Sequence, residues 1–310
     1  MDLTVGIINH NNKELLRRCL ISIFEHTINV NFDCVVADNN SSDGSIDMLR
    51  KEFPKVMIIE NHENLGFSRA VNQVIRRSDR EFIFVCNQDI FLKENSFLKM
   101  LYFMQTNPRI AILGPKIINE EGALELSFNK KCSNLIRCFL DNVFFYSFLR
   151  TKISERYLER FLKLAFNKML NNPQPVGWLS GAAFLLRRQA TQSAGLMDEK
   201  FFLYYEDEDF CCRMNKAGWL VYYFPKTFII HSRGKTIHKT EFNCILESTK
   251  SQVNFYRKRY KPTVLLLIKF LILYRLSLEL LPICLISFIR PALRKKLQYY
   301  MKTVQILPTL

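Results

Sequence analysis

Through the first 120 residues, apolar runs five or six residues long alternate with amphipathic stretches. That rhythm is the pattern of an α/β domain built on a mainly parallel sheet. Leu3–Ile8, Asp33–Ala37, Val56–Glu60 and Glu81–Cys86 read as strands. Lys13–His26, Ser45–Phe53 and Phe67–Arg77 carry apolar residues at three-to-four-residue spacing and read as helices covering a sheet face. Glu94–Thr106 reads as a further helix, stopped near Pro108, and Ala111–Ile118 as a further strand. Open sheets of this kind bind ligands at the carboxyl ends of their strands, so the residues just after each strand are the ones to inspect.

Residues 120–175 interrupt the alternation with an aromatic and basic stretch, helical over Asn134–Leu149 and Ser154–Leu170. Two readings stand: a helical pair packed on the core, or a flap that touches acceptor or membrane. The α/β rhythm then resumes, with a strand at Gly181–Leu186, a helix at Glu208–Lys216, and two strands at Trp219–Tyr223 and Thr227–His231.

The charge is unevenly spread. Of a net +15, the segment 250–310 supplies +11, with twelve Lys/Arg against the single acid Glu279. The same segment holds the apolar run Val264–Ile289, broken by Lys269, Arg275, Glu279 and Pro282. A bilayer span needs roughly 20 apolar residues, and each central charge costs about 2.5–3.5 kcal/mol. We expect an interfacial pair of helices lying on an anionic membrane, flanked by Arg257, Lys258, Arg259 and Lys261 before it and Arg290, Arg294, Lys295 and Lys296 after it. A basic excess confined to such a tail argues against a nucleic-acid partner. With 48% hydrophobic residues the chain is not disordered. Nine Cys without a CxxC pair suggest neither a disulfide framework nor a zinc site, and a reducing compartment is expected. The start of the chain shows no signal-peptide pattern, so a cytoplasmic catalytic part is expected.

Five polar segments follow the strands. The first is Ala37-Asp38-Asn39-Asn40-Ser41-Ser42-Asp43-Gly44-Ser45, where Asp38 at a strand end can hydrogen-bond a base or ribose, and Asp43 or Ser45 can cap the next helix. The second is Asn61-His62-Glu63-Asn64-Leu65-Gly66-Phe67-Ser68-Arg69-Ala70. In it Gly66 permits close backbone approach, Asn64 can cap a helix or bond a ligand, and Arg69 offers a charged fork to a base or phosphate. Val85-Cys86-Asn87-Gln88-Asp89-Ile90 brings Asp89 out of an apolar strand, as a surface turn or as a ligand for a hard cation.

Tyr204-Tyr205-Glu206-Asp207-Glu208-Asp209 sets four acids ahead of an amphipathic helix. Asp209 stands four residues before Arg213, the spacing of a helix-face ion pair. Asp207, about 200° around a helix of 3.6 residues per turn, faces away from that pair and is the candidate general base. The last segment is His231-Ser232-Arg233-Gly234-Lys235-Thr236, with His231 at a strand end as a structural or ligating imidazole and the loop behind it able to fold over a diphosphate.

Together these segments resemble the inverting family 2 glycosyltransferases of GT-A fold, especially the rhamnosyltransferase-like branch of bacterial surface-polysaccharide synthesis. The resemblance runs from Thr4 to about Thr236. It implies a Rossmann-like α/β fold with a mainly parallel central sheet, a helical insertion and a C-terminal helical membrane-associating segment. The implied division is a nucleotide-sugar-binding half at 1–119, the insertion at 120–175, an acceptor and catalytic half at 176–245, and the membrane-associating region at 246–310.

VVADNNSSDGS implies Asp38 on the nucleotide base, and NLGFSRAVNQ implies Asn64, Gly66 and Arg69 framing the same nucleotide. Where the family has Asn-Pro-Asp or Asp-x-Asp, this chain has Asn87-Gln88-Asp89, which implies Asp89 as metal ligand and Asn87 as at most a weak neutral one. GWLSGAAFLLRR, containing Trp178 and Gly181, resembles the acceptor-side strand. GLMDEKFFLYYEDEDFCCR implies Asp207 as base with Glu206 beside it. His231 matches the histidine of the H-x-x-G-x-S pattern near metal and diphosphate, with Thr236 in place of the serine. The resemblance further implies Mg²⁺ or Mn²⁺, a nucleotide-diphosphate sugar donor (dTDP-rhamnose or a UDP-sugar), and a glycan acceptor linked to polyprenyl diphosphate at the cytoplasmic face of the inner membrane.

Two rivals were weighed. A nucleotidyltransferase wants a Gly-rich basic loop after the first strand, where this chain has Asn9-His10-Asn11-Asn12, and neither GxGxxG nor GxxxxGK[ST] occurs. A non-catalytic carbohydrate-binding or scaffold protein of a membrane assembly leaves Asp89, Asp207 and His231 unexplained.

Overall fold

A computed structural model describes residues 2–143, 170–232, 244–287 and 293–310. The described residues form two compact units, one within Met1–Cys132, Lys168–Phe202 and Glu206–Glu241, the other within Ser133–Asn167, Leu203–Tyr205 and Phe242–Leu310.

The first unit opens with β1 (Asp2–Asn9), α1 (Lys13–His26), β2 (Asn31–Asp38), α2 (Ser45–Glu52), β3 (Met57–Glu60), α3 (Gly66–Arg77) and β4 (Phe82–Asn87). It continues with β5 (Ile90–Phe91), α4 (Ser96–Thr106), β6 (Ile110–Ile118), β7 (Leu124–Glu125) and β8 (Phe128–Asn129). In the second unit lies α5 (Leu135–Val143), after which the first resumes with β9 (Gln174–Pro175), β10 (Trp178–Leu179), β11 (Ala183–Arg187), α6 (Arg188–Ala194), α7 (Glu206–Lys216) and β12 (Leu220–His231). The second unit closes the chain with α8 (Cys244–Arg257), α9 (Pro262–Ser287) and α10 (Leu293–Ile306).

Among the described residues the main sheet runs β3-β2-β1-β4-β11-β6-β12-β5, with β7 on β6 and β9 on β12. β1 pairs parallel with β2 and β4, β2 with β3, and β6 with β12, while β11 runs antiparallel between β4 and β6. Strand residues alternate faces. Leu3, Val5 and Ile7 of β1, with Phe82, Phe84 and Cys86 of β4, join a core completed by Leu16 and Leu20 of α1, Leu49 of α2 and Met100 of α4. The residues between them look the other way, toward α3. Gly6 shows how tightly that side closes, because a Cβ there would stand 2.3 Å from Val74 Cγ1. The sheet is thus covered on both faces, which is why its strands are nearly continuous apolar runs.

The expected helices and strands are present with ends shifted by a residue or two, and the structure adds short elements that periodicity did not reveal: β5, β7, β8, β9, β10 and α6. Three expectations are corrected. Trp219–Tyr223 and Thr227–His231 are a single strand, β12, whose register shifts between Phe224 and Phe228 as a bulge absorbs the intervening polar residues. The C-terminal apolar run is one helix, α9, rather than a pair, and it continues past position 282. Cys132 and Cys212 form a disulfide across 80 residues of sequence, a pairing that short-range cysteine spacing cannot signal. The expected helix Ser154–Leu170 lies outside the described residues but for its last residue, as does the second half of Asn134–Leu149. Among the described residues, no helix is long and apolar enough to cross a membrane.

A buried arginine locks the reversed strand in place. Arg187 ends β11 with its guanidinium 4.9 Å from the centre of the Phe82 ring. It donates to the carbonyls of Ile110 (3.1 Å) and Met104 (2.6 Å) and to Glu81 Oε1 (2.6 Å). Burial pulls this guanidinium below its ordinary pKa against the opposing pull of Glu81. Arg187→Met keeps the stem and leaves two buried carbonyls without their charged donor. It should lower stability by roughly 2–3 kcal/mol in urea unfolding, and an unchanged midpoint would refute this role.

Candidate functional site

The sheet's polarity decides where chemistry can collect. β1, β2, β4, β6 and β12 all end at one edge, and the antiparallel β11 begins there. Asn9 of β1 stands opposite Asp38 of β2 in the register, and Ile8 opposite Asn87 of β4. The edge therefore gathers Asn9, Asp38, Asn87, Asp89, Gly181 and His231.

Asp38 is buried and held rather than merely present. Asn9 Nδ2 donates to one carboxylate oxygen at 2.6 Å, Ser41 Oγ donates to the same oxygen at 2.7 Å, and the Ser41 N–H donates to the other at 2.8 Å. Asn9 was missed in the sequence reading of site residues, although the rule that drew attention to Asp38 applies equally to the end of β1. Gly44, rather than Asp43 or Ser45, occupies the cap position of α2; Asp43 instead braces the turn, its Oδ1 accepting from the N–H (3.1 Å) and hydroxyl (2.5 Å) of Ser45.

The Asn64–Arg69 loop opens α3. Asn64 Oδ1 accepts the N–H of Gly66 at 3.0 Å, which is the structural one of the two roles left open for it. Gly66 has φ +79° and lies against the backbone of the 199–202 segment, where a Cβ would come within 2.4 Å of the Phe202 carbonyl oxygen. The Phe67 N–H donates to that same carbonyl at 2.9 Å. Arg69, in the first turn of α3 and exposed, has its Nε 3.8 Å from Glu199.

Asp89 and His231 meet because β5 pairs with the end of β12, setting Ile90 opposite His231. The Ser232 N–H closes the join on the Asp89 carbonyl at 2.9 Å. His231 is buried, with Nε2 3.3 Å from Asp89 Oδ1 and Nδ1 3.1 Å from Glu125 Oε2. Burial alone would lower the imidazole pKa, but the hydrogen bonds and negative charges of Asp89 and Glu125 outweigh it and push it up to about 9. Glu125 escaped the sequence reading. It reaches His231 only through a turn at Asn119–Ala123 that folds β7 back on β6, and nothing in its own neighbourhood marks it.

A divalent cation fits this corner by donor chemistry. Asp89 offers hard oxygen, and His231 offers Nε2 once a cation displaces its proton, with Glu125 facing Nδ1; Mg²⁺-type ions are commonly held by one or two protein groups with substrate phosphates completing the sphere. Among the described residues no group of three or more His, Cys, Asp or Glu is arranged to hold a metal. Asn87 ends β4 and donates its N–H to the Ala182 carbonyl at 3.1 Å. Gly234, Lys235 and Thr236 lie outside the described residues.

The acid run divides by role as the helical spacing requires. Asp209 is buried and receives Arg213 Nε at 2.9 Å, one turn away. Asp207 turns from that pair toward the sheet edge, where its Oδ2 accepts the Gly181 N–H at 2.8 Å and its Oδ1 accepts the Glu208 N–H at 2.7 Å. Gly181 in turn lies against the ring of Phe67. Burial raises the Asp207 pKa, with the two N–H donors opposing. Glu206 beside it is buried with Oε2 making no hydrogen bond among the described residues, and burial together with the Asp207 charge pushes its pKa well above the ordinary range. The two residues before it, Tyr204 and Tyr205, have φ of +67° and +66°, a strained conformation for large side chains. Trp178 lies in β10, opposite Asn129 of β8, with its buried indole Nε1 making no hydrogen bond among the described residues.

With this geometry in view, comparison with known proteins is specific. The family model for glycosyl transferase family 2 matches residues 4–193. An N-acetylglucosaminyl-diphospho-decaprenol L-rhamnosyltransferase of Mycobacterium tuberculosis is 28% identical over 237 residues, covering 73% of this chain and 75% of its own. The rhamnosyltransferase WbbL of Escherichia coli K12 is 23% identical over 176 residues, covering 55% and 59%. Among solved structures, the mannosyltransferase PcManGT of Pyrobaculum calidifontis, in complex with GDP-Man and Mn²⁺, superposes with a TM-score of 0.55 at 14% identity, covering 98% of this chain and 86% of its own. The likeness bears out the expected GT-A fold.

Gly66 offers a test of the loop that is independent of assay. Gly66→Val combines a left-handed φ with a clash against the Phe202 backbone, and should cost about 1–3 kcal/mol of stability. Thermal unfolding reads the loss, and a melting point equal to wild type would refute the close approach.

Proposed function

As the chain belongs to glycosyl transferase family 2, we propose that it transfers a sugar with inversion from a nucleotide-diphosphate donor to a hydroxyl of a lipid-linked glycan in bacterial polysaccharide synthesis. The observation that carries the mechanism is the Asp207 carboxylate, raised in pKa by burial and held by two N–H groups at the edge where Asp38, Asp89 and His231 also end.

Each residue then has a task. Asp38, fixed by Asn9 and Ser41, hydrogen-bonds the donor's base, while Asn64, Gly66 and Arg69 frame the same nucleotide. Asp89 and His231 would hold Mg²⁺ or Mn²⁺, whose chemistry there is neutralising the charge that develops on the departing diphosphate. Trp178 and Gly181 border the acceptor, whose hydroxyl loses its proton to Asp207 as the oxygen attacks the anomeric carbon. One displacement breaks the bond to the diphosphate, forms the new glycosidic bond, and leaves the proton on Asp207. The raised pKa suits this work, because a stronger base takes the proton further in the transition state. The relatives' names favour rhamnose as the transferred sugar and a polyprenyl-diphosphate glycan as acceptor; we propose dTDP-rhamnose as donor and place the enzyme at the cytoplasmic face of the inner membrane.

Asp207→Asn removes the base and keeps its shape. Turnover should fall by about 10²–10⁴-fold, with nucleotide-sugar affinity by calorimetry nearly unchanged. Glu206→Gln removes a carboxyl that burial already disfavours as an anion, and its effect on turnover should be far smaller. Because only the ionised form of Asp207 accepts a proton, kcat/KM should climb with pH through a limb above the usual carboxylate range, and Asp207→Asn should abolish that limb. Normal turnover in Asp207→Asn would overturn the assignment.

A further inference from the structure

Helix α9 is apolar almost all round, yet only one side of it is packed. At about 100° per residue, Leu266, Leu267, Phe270, Leu273, Tyr274, Leu278 and Leu281 share one side, a stripe about 140° wide. All seven are exposed, Leu266 by 67%, Phe270 by 62% and Leu281 by 66%, whereas Ile268, Ile272 and Leu276 on the other side are fully buried. α5, α8 and α10 pack against this helix, and none of them covers the stripe. Isolated exposed leucines need no explanation, but a continuous stripe four turns long does.

The helix's three charges stay off the stripe. Lys269 donates to the Pro308 carbonyl at 2.9 Å, Glu279 accepts the hydroxyl of the buried Tyr300, and Arg275 is half-buried. Each falls on the side of Ile268, Ile272 and Leu276. The charges that interrupt the run in sequence therefore leave the outward face uninterrupted in space. α5 adds Ile136, Phe139 and Leu140 as further exposed apolar side chains of the same unit.

We propose that the outward stripe of α9 is a membrane-docking face, lying in the plane of an anionic bilayer and sinking its apolar side chains to the level of the acyl boundary. Charge selects lipid over another protein surface, and length sets the helix in the interface rather than across the bilayer. Exposed Arg257, Lys258 and Lys261 directly precede the helix, exposed Arg294 and Lys295 follow it, and the segment 250–310 carries +11. Juxtamembrane basic residues are attracted to anionic headgroups by about 1 kcal/mol each. Leu266 to Leu281 spans about 22 Å, short of a bilayer's hydrocarbon core but ample for a helix lying in the interface. This inference deepens the localisation proposed above and does not depend on the transfer chemistry.

Flotation of the full-length chain tests it, using vesicles of phosphatidylcholine alone or mixed with phosphatidylglycerol. Wild type should float with the mixed vesicles and lose most binding with phosphatidylcholine alone or in high salt. Leu266→Glu with Phe270→Glu should reduce the floated fraction at least tenfold with unchanged circular dichroism. In the conservative Phe270→Trp, the indole should be quenched by brominated acyl chains. The inference is overturned if wild type stays in solution, if the double variant floats as wild type does, or if light scattering shows a dimer that the double variant dissociates while neither form floats. Transfer to a water-soluble acceptor, measured in parallel, should survive in the double variant. Absence of transfer from wild type as well would count against the enzymatic reading and leave the flotation result standing.

Discussion

The parallel register of β1, β2 and β4, together with the reversal of β11, is the constraint on which the site depends. Parallel strands send all their carboxyl ends to one edge, and an antiparallel strand inserted among them contributes its amino end to the same place. Thus Asn9, Asp38 and Asn87 arrive as strand ends while Gly181 arrives as a strand start. Gly181 lies two residues ahead of β11, and its N–H donates to the Asp207 carboxylate at 2.8 Å. Arg187 at the far end of the same strand spans Ile110, Met104 and Glu81, so a buried cation fixes the reversed strand in place.

The four acids of 206–209 show how environment assigns roles that composition cannot. Asp207 and Asp209 are the same residue type two positions apart, yet Asp209 pairs with Arg213 while Asp207, among the described residues, is met by N–H dipoles. Dipoles stabilise a carboxylate without supplying a full positive charge, so burial still raises its pKa. A salt-bridged carboxylate is the weaker base of the two. The neighbouring Glu206 is buried, and burial together with the Asp207 charge pushes its pKa up in turn.

How much of this could be read from sequence follows from the range of each interaction. Long apolar runs and amphipathic helices declare themselves locally, so β1, β2, β4, α1 and α3 were legible to within a residue or two. The strand-end placing of Asp38 and His231 and of Asp89 just past β4 was legible as well, because each is a polar residue where the apolar pattern stops, and helical spacing set Asp207 apart from the Asp209–Arg213 pair. Two-residue strands such as β5 and β7 carry no period, yet they are what join Asp89 to His231 and Glu125 to His231. Asn9 lay at a readable position, but Asn9-His10-Asn11-Asn12 drew notice only for lacking a Gly-rich basic loop. The Cys132–Cys212 bond joins residues 80 apart and was invisible for the same reason as Glu125.

The C-terminal run shows where one-dimensional hydropathy misleads. Averaged along the chain, Lys269, Arg275 and Glu279 dilute the apolar segment and argue against a membrane span. Wrapped on a helix, they fall on the side occupied by Ile268 and Ile272, where the Pro308 carbonyl and the Tyr300 hydroxyl receive two of them. A helix packed on one side has two solvents, and charges are inexpensive on whichever side supplies partners. For α9 the charged groups find partners inside the protein, while its outward side is as apolar as its buried side, unlike a helix on a water-facing domain. An exposed apolar stripe of this kind costs free energy in water, and contact with an apolar medium relieves that cost.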